Sequence, residues 1–206
     1  MGKAGLICFI QYNFNFLQNL FKRVLEKNFY YEYSLHTNYI SGETMKINDV
    51  VNVIQSAECA QIATFGKDET EGFPEIRALL NLANSEKYPK LKGKAILVDG
   101  ETLTIYFTTN TSSRKVRQIR ENNNVCLYFV LPENFKGVSA IGTIEEVTDQ
   151  TVKEDFWQSD WFMYYHKGVK DPDYTILKFT SKYMHCWGNL GIHNFGQPVN
   201  SGKKDN

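Results

Sequence analysis

The sequence predicts a mainly β protein, a β-barrel with peripheral helices. Three observations carry that expectation. Short runs rich in Val, Ile, Phe, Tyr and Thr recur between Cys59 and Trp187, about seven or eight in all, and short polar turns join most of them. Only two or three segments have helical spacing. Gly142 interrupts a long apolar run, as a glycine does where a strand bends at a barrel corner. Consecutive strands on short turns pair antiparallel, and closing the sheet removes its exposed edges.

The elements follow in order. Ile47, Val50, Val51 and Ile54 recur at i, i+3, i+4 and i+7, which predicts a helix over Asn48–Ala57 with one apolar face. Cys59–Phe65 alternates and reads as a strand; Gly66–Gly72 is polar and glycine-bounded, a turn. Phe73–Leu82 is a second strand, with Pro74 tolerated at its start. Asn84–Lys94 is a charged loop containing Pro89. Ile96–Val98 and Leu103–Thr109 form a hairpin about Asp99-Gly100. Ser112 or Ser113 caps a helix running to Asn123, with Val116 and Ile119 inward. Val125–Leu131 and Val138–Val147 are strands, and Gln150–Tyr165 is an aromatic-rich helix. Gly168 and Asp171-Pro172-Asp173 form a loop before the last strands, Tyr174–Thr180 and Tyr183–Trp187.

Composition narrows the function. The chain has 206 residues, enough for one domain with a sizeable core. Its 23 basic and 23 acidic residues balance, so any anion site must be local, and a broad nucleic-acid surface is disfavoured. The four cysteines contain no CxxC, and Cys59 and Cys126 sit in apolar runs as small core residues do. None of the four histidines has zinc-ligand spacing, so no metal is expected. No apolar run reaches the roughly 18 residues of a membrane span, and the N-terminus lacks a cleavage signal; a cytoplasmic location is the expectation. Residues 1–44 differ from the rest. They are crowded with Phe, Tyr and Asn, and Leu17, Leu20, Phe21, Val24 and Leu25 have helical spacing. They are read as an extension, either poorly ordered or outside the native domain, with a packed partner-binding arm as the alternative. The working domain is expected over 45–190 and a polar tail over 191–206.

The chemistry is concentrated in Tyr106-Phe107-Thr108-Thr109-Asn110-Thr111-Ser112-Ser113-Arg114-Lys115. A strand ends in hydroxyl residues and two adjacent cations open a helix. Free backbone N–H groups and the helix dipole favour an anion there. Arg114 supplies a planar fork and Lys115 a point charge. On spacing alone a solvated basic face, Arg114, Lys115, Arg117 and Arg120, competes with this reading. The second piece is Arg77 inside the apolar strand Ile76–Leu82. An arginine there either points outward or faces an anion, and a shared phosphate would explain both pieces. Alternation places Arg77, Leu79 and Asn81 on one face, which could lie against a flat ring.

Arg-x-Leu-Leu on one strand, then Phe-x-Thr-Asn-x-x-Ser-Arg-Lys opening a helix, resembles the FMN-binding pattern of pyridoxamine 5′-phosphate oxidases and of the related general stress and nitroimidazole-reductase-like proteins. Gln118–Phe129 resembles that family's helix-to-strand passage, Gly137–Glu145 its next strand, and Asp171-Pro172-Asp173-Tyr174 a loop of the stress-protein branch. The similarity spans about Met45 to Trp187. It implies an FMN-binding split barrel, antiparallel and Greek-key-like, that forms a homodimer with FMN at the interface. Carried over by position, Arg77, Ser113, Arg114 and Lys115 would hold the phosphate. Thr108 and Thr109 would meet the phosphate or ribityl chain, and the backbone of Ala78, Leu79 and Leu80 would line the ring. Trp187 matches a tryptophan near the flavin, although a space-filling role fits it as well.

The sequence departs from the oxidases at three places. Leu82 stands where they carry Lys, Gly137 where they carry Gln, and Gly188–His193 lacks their Arg-x-His. The groups that would bind pyridoxal phosphate are missing, so a true pyridoxamine phosphate oxidase is not expected. The leading expectation is an FMN-dependent oxidoreductase of a small molecule with NAD(P)H as donor. The alternatives are a flavin-binding stress protein without turnover and a split barrel holding haem or a deazaflavin. No residue, His166 included, stands out as catalytic.

Overall fold

The computed structural model describes residues 44–188 and 191–199; the helix expected near Leu17–Leu25 lies outside them. Among the described residues one eight-stranded antiparallel sheet dominates, flanked by three α-helices. Helix α1 (Ile47–Ser56) buries Val50, Val53 and Ile54. The Asp49 carboxylate accepts from the Lys46 N–H at 2.8 Å and so caps its N-terminus. Strands β1 (Cys59–Phe65) and β2 (Pro74–Leu80) form a hairpin. Then come β3 (Ile96–Asp99), β4 (Thr102–Asn110), α2 (Arg114–Glu121), β5 (Asn124–Leu131), β6 (Lys136–Val147), α3 (Gln150–Phe156), β7 (Tyr174–Gly188) and β8 (Gly191–Gly196).

The hydrogen-bonded path runs β2-β1-β5-β6-β7-β4-β3, with β8 also on β7. The path is open between β2 and β3, so the sheet is a split barrel and not the fully closed one that edge removal alone would favour. β7 makes this arrangement. One edge pairs with β6 along most of its length, while the other carries β4 on its first half and β8 on its second. The expected pair of final strands is therefore one strand of 15 residues. The polar Ser181-Lys182 that suggested a turn is a bulge: Ile141 faces Tyr183 and Gly142 faces Ser181, leaving Lys182 unopposed. Gly142 is required at this step, because a Cβ there would lie 2.1 Å from the Thr180 carbonyl oxygen.

Two further expectations change. The aromatic helix stops at Phe156, Trp157 turns extended, and Ser159–Met163 continues as a 3₁₀ turn. The break lets Phe156, Trp161 and Tyr165 all reach the core around Tyr174. Residues 191–196, expected to begin the tail, form β8, with Phe195 buried. The core is continuous, from Ile54 and Ile62 through Leu103, Phe107, Leu127 and Phe129 to Ile144 and Phe179. Cys186 is buried in it, and burial pushes its thiol up to about 12. Cys59 and Cys126 are only half-buried and sit on the other face of the sheet, not in the core.

Candidate functional site

The β1–β2 register fixes which side chains share a face. Ile62 faces Arg77, Thr64 faces Glu75 and Ala60 faces Leu79. These point to the side of the sheet on which α2 packs against β1 and β6. Leu79 and Asn81 on this face are buried. Asn81 donates to the carbonyls of Ile54 and Ala57 at 2.7 and 2.8 Å, satisfying the end of α1. Neither side chain is open to a ring, which corrects the expectation that their shared face would receive one. The opposite face of β2, with Pro74, Ile76, Ala78 and Leu80, is the exposed one.

Arg77 is half-buried, and two of its three guanidinium nitrogens bond to neighbours. One guanidinium nitrogen donates to Thr64 Oγ1 at 2.6 Å and the other to Glu75 at 2.8 Å. Thr64 in turn donates to Gln118 Oε1 at 2.6 Å, and the Gln118 amide donates to Glu75 at 2.8 Å. Arg114 pairs with Glu75 at 2.8 Å and donates to Thr70 Oγ1 at 2.9 Å. The Thr70 hydroxyl also donates to Glu75. Gly66 permits this loop geometry: a Cβ there would lie 2.2 Å from the Thr70 carbonyl oxygen. Thr64, Glu75 and Gln118 were not singled out from the sequence. Their signal was present as alternation, Glu75 two residues before Arg77 on one strand face and Gln118 three after Lys115 on one helix face.

Lys115 completes the cluster. Its ammonium donates to Thr109 Oγ1 at 2.9 Å. Burial, and then the nearby Arg77 cation, hold its pKa below that of an ordinary lysine. Two cations drawn together and partly removed from water favour an anion beside each; Glu75 pairs with Arg77 at 2.8 Å, while Lys115 donates to the neutral Thr109 hydroxyl. Ser113 stands at the N-cap of α2, yet its hydroxyl caps nothing; it is buried and has no hydrogen-bond partner among the described residues. An orphaned buried hydroxyl beside the opening of a helix calls for an acceptor such as a phosphate oxygen.

The loop that presents these groups is anchored from β7. Asp173 accepts from Ser112 N–H at 2.7 Å and from the Asn110 amide at 2.6 Å, and its own carbonyl accepts from Thr111 N–H at 2.8 Å. Burial pushes the Asp173 carboxyl up, but the Ser112 and Asn110 donors outweigh it and leave it below its ordinary value. Asp171 shapes the turn by accepting from the N–H groups of Asp173 and Lys167.

The structure therefore brings together Arg77, Thr109, Ser113, Arg114 and Lys115 at one end of the barrel. Thr108 points the other way and donates to the Thr175 carbonyl at 3.3 Å. Ala78 and Leu80 lie on the outer sheet face. Trp187 shares that face, because the register links Ala78 to Gln61, Gln61 to Tyr128, and Tyr128 stacks on Trp187 at 5.4 Å. Three strands separate β2 from β7, so within one chain Trp187 is not part of the cation cluster. Its indole lies directly over Gly137, where a Cβ would come within 2.1 Å of the ring. Gly137→Gln is expected to lift Trp187 off Tyr128, read as a changed tryptophan emission spectrum without loss of the cooperative thermal transition. An unchanged spectrum would contradict this packing.

Arg120 belongs to a different set. It makes a two-pronged pair with Glu146 at 2.6 and 2.9 Å, which neutralises part of the basic run. Among the described residues no group of His, Cys, Asp and Glu is arranged to hold a metal, and no helix is long and apolar enough to cross a membrane.

Comparison with known proteins agrees with this architecture. No curated protein matches the sequence. A solved structure of a protein related to general stress protein 26, from Clostridium acetobutylicum, is 31% identical with a TM-score of 0.56, over 73% of this chain and 93% of that one. General stress protein 26 from Bacillus anthracis is 16% identical with a TM-score of 0.51, over 71% and 96%. A NimC/NimA family protein from C. acetobutylicum is 14% identical with a TM-score of 0.51, over 72% and 90%; these two show the shared fold. Residues 75–196, more than half the chain, match the family model described as pyridoxamine 5′-phosphate oxidase like. With that match, and a relative at 31% identity along nearly its whole length, the chain belongs to the pyridoxamine 5′-phosphate oxidase-like family.

Proposed function

We propose that the protein binds FMN and works as a small-molecule oxidoreductase in a homodimer. The observation that carries this reading is the buried Ser113 hydroxyl, without a hydrogen-bond partner among the described residues, at the start of the helix whose half-buried Lys115 ammonium lies near the Arg77 cation. Hydroxyl, ammonium, guanidinium and free helix N–H groups form a donor set suited to a phosphate monoester, which carries nearly two negative charges. Residues Arg77, Thr109, Ser113, Arg114 and Lys115 would hold that phosphate. The edge of β2 beyond the hydrogen-bonded path offers the backbone of Ala78–Leu80 to the ring. FMN, when bound, supplies the electron transfer; the protein supplies orientation and access.

The outer sheet face supports the dimer. Phe65, Ile76 and Leu80 are large apolar residues left open on it, with Ile76 71% exposed. Beside them an apolar cleft of about 390 Å³ is lined by Phe65, Pro74, Cys126 and Ile141 among others. A soluble protein gains by covering such a surface, and a second copy would do so. The same contact would bring the partner's face to the exposed side of Ala78 and Leu80.

The test is titration of the purified protein with FMN and with riboflavin, with mass measured by light scattering, followed by addition of NADH or NADPH to the FMN-loaded form. Tighter binding of FMN than of riboflavin, a dimeric mass and nicotinamide oxidation are expected. FMN binding without nicotinamide oxidation by either donor would favour the flavin-binding protein without turnover. Equal affinity for FMN and riboflavin would remove the phosphate site from the account.

A further inference from the structure

A carboxylate sits inside the cation cluster. Glu75 is four-fifths shielded from solvent and is held by four side chains: one oxygen accepts from Thr70 and Gln118 and forms an ion pair with Arg114, and the other accepts from Arg77. Two of these partners, Arg77 and Arg114, belong to the set that would hold a phosphate. Its geometry is that of a bound anion, an acceptor-only group with two oxygens shared between two guanidinium forks and two neutral donors.

We propose that Glu75 is a built-in anion that occupies the arginine pair when no ligand is bound, competes with an incoming phosphate monoester, and so sets the affinity of the site for phosphorylated ligands. The proposal rests on the phosphate reading of the cluster and not on the identity of the flavin. Three cations, Arg77, Arg114 and Lys115, cannot remain close and half-dehydrated without compensation, and Glu75 compensates two of them. The third, Lys115, has among the described residues only the neutral Thr109 hydroxyl as its hydrogen-bond partner. A phosphate therefore meets one ammonium already open to it and two guanidinium groups it must share with a carboxylate. The shared arrangement keeps both arginines ordered before the ligand arrives, which lowers the entropy lost on binding, while the like charge of Glu75 opposes a dianion at close range.

The Thr70 hydroxyl is the main influence holding the Glu75 carboxyl below its ordinary value; burial opposes it, and Gln118, Arg114 and Arg77 add to the lowering. The group is therefore charged at neutral pH, as a competing anion must be.

The test is Glu75→Gln, which keeps the size and one acceptor oxygen but removes the charge and turns the other oxygen into an amide donor. Inorganic phosphate (followed by ³¹P NMR), FMN and riboflavin are titrated against the wild-type protein and the variant. Tightening of phosphate and FMN binding by about tenfold, the scale expected for one like charge removed from beside a dianion, with riboflavin unchanged, supports the proposal. Unchanged or weaker phosphate binding overturns it and makes Glu75 a structural brace for the arginines. Tighter phosphate binding with no FMN binding by either protein keeps the proposal and removes the flavin reading. FMN bound equally by both, without gain for phosphate, does the reverse. Glu75→Ala, tested the same way with the same expectation, replaces the glutamine variant if that one does not fold.

Discussion

Replacing Lys115 or Arg77 with alanine is expected to weaken FMN binding by about 1.5–3 kcal/mol each, the range for hydrogen bonds to charged groups. The two are expected to differ in what else they disturb. Among the described residues Lys115 holds only the Thr109 hydroxyl, so its loss removes a ligand contact and relieves the repulsion with Arg77. Lys115→Ala is therefore expected to leave the thermal midpoint of the ligand-free protein unchanged or raised. Arg77 is tied to Thr64 and Glu75, so its removal leaves a shielded carboxylate with one cation fewer and an unpaired threonine acceptor. Arg77→Ala is expected to lower the ligand-free midpoint as well as the affinity. Titration of FMN against both variants, with thermal melts of the ligand-free proteins, separates the effects. Full FMN affinity in both would contradict the site.

The second large effect is expected at Tyr174. The ring is fully buried and meets Trp157 at 5.1 Å and Tyr165 at 5.2 Å in edge-to-face contacts, with Trp161 at 6.0 Å. Its hydroxyl donates to the Lys153 carbonyl at 3.1 Å, joining α3 to the sheet. Burial pushes its pKa well above that of an ordinary tyrosine. Tyr174→Ala is expected to cost about 3–5 kcal/mol, the range for truncating a large buried aromatic. Tyr174→Phe is expected to cost about 1 kcal/mol, for the one hydrogen bond. Chemical denaturation checks both. The residue follows Asp173, whose carboxylate and carbonyl anchor the 110–113 loop, so the alanine variant should also lose FMN affinity while the phenylalanine variant keeps it. Equal stability losses in the two variants would show that the hydroxyl, and not the aromatic packing, holds this corner together.

The sequence showed part of the site and most of the strands, for identifiable reasons. Cys59–Phe65 alternates against one core, and pattern and strand coincide residue for residue. Arg77 stood out because a charge inside an apolar strand is costly without a partner, and the Ser113-Arg114-Lys115 run stood out only together with it, since on spacing alone a solvated basic face explains the cations as well. Glu75 did not stand out, since a glutamate near a turn is ordinary until the register shows that it points inward beside Arg77. Trp187 was expected near the flavin; the register places it on the outer face with Ala78, separated from β2 by three strands within one chain. Gly137 was noticed only as a departure from the oxidases; the structure gives the reason, since the Trp187 ring fills the space a side chain would need. Ser181-Lys182 has turn composition but is held in one strand by β6 on one side and by β4 and β8 on the other. β8 itself has little alternation and depends on its neighbour for pairing. Such elements are set by tertiary contact rather than by local propensity.

The central claim is that the Arg77–Ser113–Lys115 cluster holds the phosphate of FMN, and one measurement addresses it most directly. The absorbance spectrum of the protein as purified, followed by mass analysis of any chromophore released on denaturation, reports the ligand without assuming it. The account predicts oxidised-flavin absorbance and release of FMN, with the absorbance lost from an Arg77→Ala, Lys115→Ala double variant. A colourless protein that also takes up no added FMN would contradict it, as would release of haem or a deazaflavin.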